Sequence, residues 1–230
     1  MGRLNYSVIF NRYKRVGKGN VRLTQSALFL TKPIQPTQST YQFDVLETQT
    51  GTLQPDEIRL NLNDEFIIAS MGLYLVGTQK RSDGAAGSDA QVLFTYAPAE
   101  LDGTTARNLA NFYAGQLSIS VNNIVYLEKW DSRRHLNVPR TQYANLVAAP
   151  GGQATIASNE FSKNGMFPVE PLITISGSKK TTIQLQLPTA ITAGTFTHTD
   201  DKGAVNTIEI NRVGLLLRGL NAQNGAVFQN

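Results

Sequence analysis

The chain has 230 residues, 41% of them hydrophobic and 17% charged, which describes a folded protein of one generous domain or one domain plus an arm. It contains no cysteine, so disulfides, thiolate zinc sites and cysteine nucleophiles are excluded. The formal net charge is +4 and is unevenly spread: seven bases and no acid fall within residues 1–43, while 14 bases and 17 acids make up the rest.

Residues 1–19 have no clean period, and Gly17, Lys18 and Gly19 read as a break. The start lacks the apolar core and cleavage site of a secretion signal, and Tyr6 stands where a myristoylation motif asks for Ser or Thr. A block of positive charge attracts polyanions or acidic surfaces. Arg3, Phe10, Arg12, Tyr13, Lys14, Arg15, Lys18 and Arg22 are therefore the candidate contacts to a partner, either nucleic acid or protein. The rings would stack on bases or anchor in a groove while the cations meet phosphate or carboxylate. No zinc-finger or RNP pattern accompanies them, so sequence-specific recognition has no support. Ordering such a segment costs about 1–2 kcal/mol per residue. The scattered apolar residues Leu4, Val8, Ile9 and Phe10 are expected to dock on a neighbouring subunit to offset that cost.

From Val21 the chain alternates as a strand, interrupted around Gln25 and Ser26. Residues 32–40 (KPIQPTQST) read as an extended connector and hinge, which sets the expected boundary: a basic arm and connector over 1–43, a body over 44–230. Tyr41, Phe43 and Val45 alternate again. Ile58, Leu60 and Leu62 alternate with Arg59 and Asn61 as a half-buried strand, and EFIIASMGLYLVG at 65–77 predicts a long buried one, because Phe, Ile, Tyr and Val dominate it. Residues 80–90 form a surface loop before a strand over 91–96.

A helix is predicted over 101–114, capped by Asp102 or Thr104, with Leu109, Phe112 and Tyr113 on one face and Gly115 ending it. Strands over 116–122 and 124–130 flank an Asn122-Asn123 turn as a hairpin. Prolines and glycines punctuate a loop-rich region over 131–171. Strands follow over 172–176 and 181–187, and a last hairpin turns at TDDKG into a strand over 205–218. MGLYLVG at 71–77 and VGLLLRG at 213–219 share a frame, and strands that share a frame often share a sheet. About nine strands and one helix make an all-β sandwich, with a jelly roll as the expected arrangement.

Chemistry finds little purchase. His135 sits in DSRRH as a polar loop residue beside two arginines that lower its proton affinity. His198 beside Asp200 and Asp201 has the residue types of a metal site, but the same letters suit a hairpin tip, and no metal or cofactor is expected. The pairs Asp56-Glu57 and Asp64-Glu65 would each alternate across a strand and face opposite ways, so neither can act on one substrate. No P-loop or nucleophile elbow occurs, and no enzymatic activity is expected.

The stretches FPVEPLITISGSKKTTIQLQLP at 167–188 and DEFIIASMGLYLVGT at 64–78 resemble virion structural proteins of bacteriophages, particularly jelly-roll capsid proteins. So does the plan of a basic arm ahead of a β body rich in Gln, Asn and Thr. The resemblance implies a shell or shell-associated subunit in the virion, made in the host cytoplasm. Its partners would be copies of itself and other virion proteins, with non-specific contact to packaged nucleic acid and no membrane-spanning segment. It carries no functional residues across. The competing expectation is a carbohydrate- or receptor-binding β-sandwich, with Trp130 as its exposed aromatic.

Overall fold

The computed structural model describes Ile9, Asn11, Tyr13 and residues 21–47, 56–80, 90–98, 100–137, 165–199 and 205–227. These form two antiparallel sheets facing each other, with one short helix: an all-β sandwich.

The first sheet is built on two long strands, β3 (Glu65–Lys80) and β10 (Val205–Gln223), which lie side by side. The repeated frame anticipates this pairing: Leu73 stands opposite Leu215 and Gly214 opposite Tyr74. β1 (Arg22–Pro33) runs along β10 from Arg212 to Gln223, and β9 (Gly194–Thr199) continues that edge from Ile210 to Val205. On the far side of β3, β7 (Met166–Ser176) pairs with Glu65–Gly72, and β4 (Ala90–Phe94) with Leu75–Gln79. The second sheet has the order β2 (Thr40–Phe43), β8 (Thr181–Gln186), β5 (Gln116–Val121), β6 (Ile124–Asp131).

Alternating apolar side chains from both sheets meet in one core. Leu28, Leu30, Phe66, Ile68, Leu73 and Leu215 come from the first sheet, and Tyr41, Phe43, Leu117, Ile119, Ile183 and Leu185 from the second. At about 25 cal/mol per Å² of apolar surface removed from water, this burial is the main force holding the sheets together. A bulge where Arg218 and Gly219 meet Ser70 and Ile68 lets both long strands bend. Gly219 is obligatory there, since a Cβ would fall 1.8 Å from the Ile67 carbonyl oxygen.

α1 (Gly103–Ala110) and the 310 turn Asn111–Ala114 lie where the helix is predicted. The Asp102 carboxylate caps α1 by accepting from the Thr104 and Thr105 amides at 3.0 Å, and hydrogen bonding, first from the Thr105 side chain and then from these amides, holds its pKa below the ordinary value. Asn122 and Asn123 both take positive φ (49° and 64°), the conformation of a two-residue hairpin turn.

Several expectations are corrected. The boundary at residue 43 falls inside the sandwich: β1 pairs without interruption through Gln25 and Ser26, and the connector 34–39 carries the chain from one sheet to the other. Charge composition marked residues 1–43 as a unit, but packing does not. The segment at 56–62 is not a regular strand with all of its apolar side chains inward. Leu60 is buried in the core as expected, but Ile58 is 52% and Leu62 43% exposed, whereas Arg59 is buried, because ion pairing with Glu57 outweighs alternation there. β7 starts at Met166 and so includes Pro168 and Pro171, which an edge strand tolerates because its outer amides have no ladder partner. Residues 200–204, which hold the DDKG of the expected turn, and the loop over 81–89 lie outside the described residues.

Candidate functional site

The N-terminal segment is the predicted contact region. Arg3, Phe10, Arg12, Lys14, Arg15 and Lys18 lie outside the described residues. Tyr13 and Arg22 are described, and they differ. Arg22 opens β1, opposite Gln223, with its side chain exposed. Tyr13 is buried. With Ile9 it packs on the outer face of the first sheet against Ile67, Leu220 and Ala222, with Val21 and Leu23 alongside. Ile9, Asn11 and Tyr13 are helical, and Asn11 points to solvent. The expected docking of Ile9 on a neighbouring subunit is thus met, at this residue, by the chain's own sheet.

The Tyr13 hydroxyl donates to Glu65 Oε2 at 2.7 Å. Glu65 is fully buried, and its Oε1 accepts no hydrogen bond from the described residues. A buried carboxylate without donors is costly, so the tyrosine hydroxyl supplies part of what water no longer can. Glu65 also borders a cleft of about 240 Å³ between β7 and the β5–β6 turn, whose lining includes Asn122, Tyr126, Thr174 and Lys179. Tyr126 is half exposed there. Sequence gave no sign of this arrangement, because nothing in the letters couples Tyr13 to a strand 52 residues on.

Several other charged groups pair within the chain. Glu57 accepts from the Thr31 amide (2.8 Å) and hydroxyl (2.9 Å) and from Arg59 Nη2 (2.9 Å). Asp56 meets Arg212 at 3.2 Å, and Lys32 pairs with Asp44. Asp56 and Glu57 therefore converge on one network that closes the sandwich beside β1, instead of facing opposite ways, because they precede a bridge and do not sit within a regular strand. Asp64 accepts from Asn221 Nδ2 and the Asn224 amide, while Glu65 turns under Tyr13. This pair does split.

His135 is fully buried and not a polar loop residue. Its proton affinity is lowered, first by burial and then by Arg134, so the arginine named from sequence is the lesser cause. Trp130 is partly buried, donates Nε1–H to His135 and carries the Arg134 guanidinium 4.7 Å above its ring. One face of its ring is thus covered from within the chain. His198 lies on β9, opposite Asn206. Among the described residues no group of three or more His, Asp or Glu side chains could hold a metal, and no helix is long and apolar enough to cross a membrane.

Comparison with protein families, curated proteins and solved structures finds no match.

Proposed function

We propose that this chain is a structural subunit of a bacteriophage particle, a jelly roll acting by self-assembly and without catalysis. Strand order is the observation that carries this reading. With the extensions β4 and β9 set aside, the sheets run β1-β10-β3-β7 and β2-β8-β5-β6. The antiparallel pairs β1/β10, β2/β8, β3/β7 and β5/β6 are nested, as the two arms of one long hairpin would be if it were rolled into a sandwich. Such eight-stranded rolls recur in viral shells and lectins. The sequence resemblance and the basic composition of residues 1–43 favour the shell.

In the particle, the basic residues Arg12, Lys14, Arg15 and Lys18 face nucleic acid or an acidic neighbour. Ile9 and Tyr13, interspersed with these bases in sequence, pack on the outer face of the first sheet. The test is assembly of the purified full chain, followed by light scattering and electron microscopy, beside two variants. Removal of residues 1–19 should leave a folded body that assembles poorly. Joint neutralisation of Arg12, Lys14 and Arg15 should weaken assembly most at low salt, since a Debye length of about 8 Å at physiological ionic strength already screens exposed charges. A full chain that stays monomeric and binds glycans would overturn the proposal.

A further inference from the structure

His135 has a geometry that only one protonation state fits. Its Nδ1–H donates to the Gly165 carbonyl at 2.7 Å, and its Nε2 accepts Trp130 Nε1–H at 3.0 Å. These two contacts fix the neutral tautomer, with the proton on Nδ1. A second proton on Nε2 would set one N–H donor against another in a site without water access. Phe167 closes the remaining side, edge-on at 5.5 Å.

The position of this ring gives the contact its consequence. Residues 132–135 form a 310 turn after β6, held by the Ser132 hydroxyl on the Phe112 and Gly115 carbonyls. Gly165, on the other side of the ring, opens β7 with φ +74°. His135 therefore ties the end of an edge strand of one sheet to the start of an edge strand of the other. Asn137, bonded to Thr95 just after β4, ties the same turn to the first sheet independently of the imidazole.

We propose that His135 is an acid-sensitive latch between β6 and β7, closed while its ring carries one proton and opened when it takes a second. The charges around it favour opening once protonation occurs. On its own turn, Arg134 opposes a second positive charge, and the Asp131 carboxylate is engaged by the Arg133 amide. From the packed elements, Tyr113 bonds the Phe94 carbonyl, Glu65 on β3 takes Tyr13, and Glu170 on β7 is exposed. No carboxylate among the described residues is aimed at the ring to hold an imidazolium. Upon opening, Trp130 loses its acceptor, and the turn is left to the Asn137–Thr95 bonds.

The chain has one tryptophan and two histidines, so the latch can be read in the intact protein. Trp130 emission should shift in a single step between about pH 7 and pH 4, centred below the ordinary imidazole value of about 6.5, while far-UV circular dichroism stays constant. His135→Gln keeps one acceptor and one donor but does not titrate, and it should abolish the step. His198→Gln should leave it unchanged. The imidazole proton resonances of the unsubstituted chain give a second measurement that needs no variant. A ring at 135 that titrates at or above 6.5, a step that survives in His135→Gln, or emission that moves only together with the circular dichroism would each overturn the latch. None of these outcomes depends on whether the chain assembles.

Discussion

Replacing Tyr13 with Phe removes one oxygen atom and leaves the ring in place. The lost bond is short, 2.7 Å, and ends on a carboxylate that is fully buried, with its other oxygen unpartnered among the described residues. Hydrogen bonds to charged groups contribute about 1.5–3 kcal/mol, and a buried acceptor left empty adds its own desolvation cost. The observable loss has a ceiling, however, because the N-terminal segment can detach and let water reach Glu65. Tyr13→Phe should therefore cost about 1.5–3 kcal/mol in urea denaturation, or up to the full docking free energy of the segment if that is smaller. Protease cleavage within residues 1–20 should accelerate in parallel. Glu65→Gln in the same background tests the pairing: the two changes should be strongly non-additive, with a coupling of about 0.5–3 kcal/mol. A loss under about 0.5 kcal/mol, the ordinary range of surface changes, together with unchanged cleavage, would refute a stabilising role for the Tyr13–Glu65 bond.

Other expectations follow from burial and charge. Leu73→Ala should destabilise by about 2–5 kcal/mol, since its site is fully enclosed, whereas Ile58→Ala, on an exposed side chain, should stay within about 0.5 kcal/mol. Glu57→Gln leaves the buried Arg59 without its nearest charge and should cost about 3–5 kcal/mol by thermal or urea unfolding, while replacing both residues with apolar ones of similar volume should cost less. Because burial holds folded His135 below the unfolded value of about 6.5, the unfolded chain binds the extra proton first. The latch's contribution is complete above that value and is lost as pH falls towards the lower folded one. The stability difference between the unsubstituted chain and His135→Gln should narrow or reverse over that window in urea titrations.

Local patterning made much of the sandwich legible. The Phe-Ile-Tyr-Val run of β3, the Asn-Asn turn and the Asp102 cap are short-range signals, and the shared glycine-leucine frame carried the long-range pairing of β3 with β10. Reading failed where tertiary partners override pattern. Arg59 goes inward because Glu57 awaits it, while Ile58 is turned out by the same geometry. Pro168 and Pro171 are tolerated because β7 is an edge. Charge composition grouped residues 1–43 together, yet only the packing of Leu28, Leu30, Tyr41 and Phe43 reveals that the stretch from β1 onward belongs to the sandwich. Of the predicted contact residues, Tyr13 was singled out for its aromatic ring, but its role here comes from a hydroxyl and a distant glutamate that no spacing rule connects.

Assembly itself is the most direct measurement. Purified full-length chain, brought to assembly conditions and viewed by electron microscopy alongside light scattering, should yield closed, uniform particles, with the nested β1/β10 to β5/β6 roll recognisable in each subunit. A monodisperse monomer across salt and pH, with or without added nucleic acid and other virion components, would contradict the shell-subunit function.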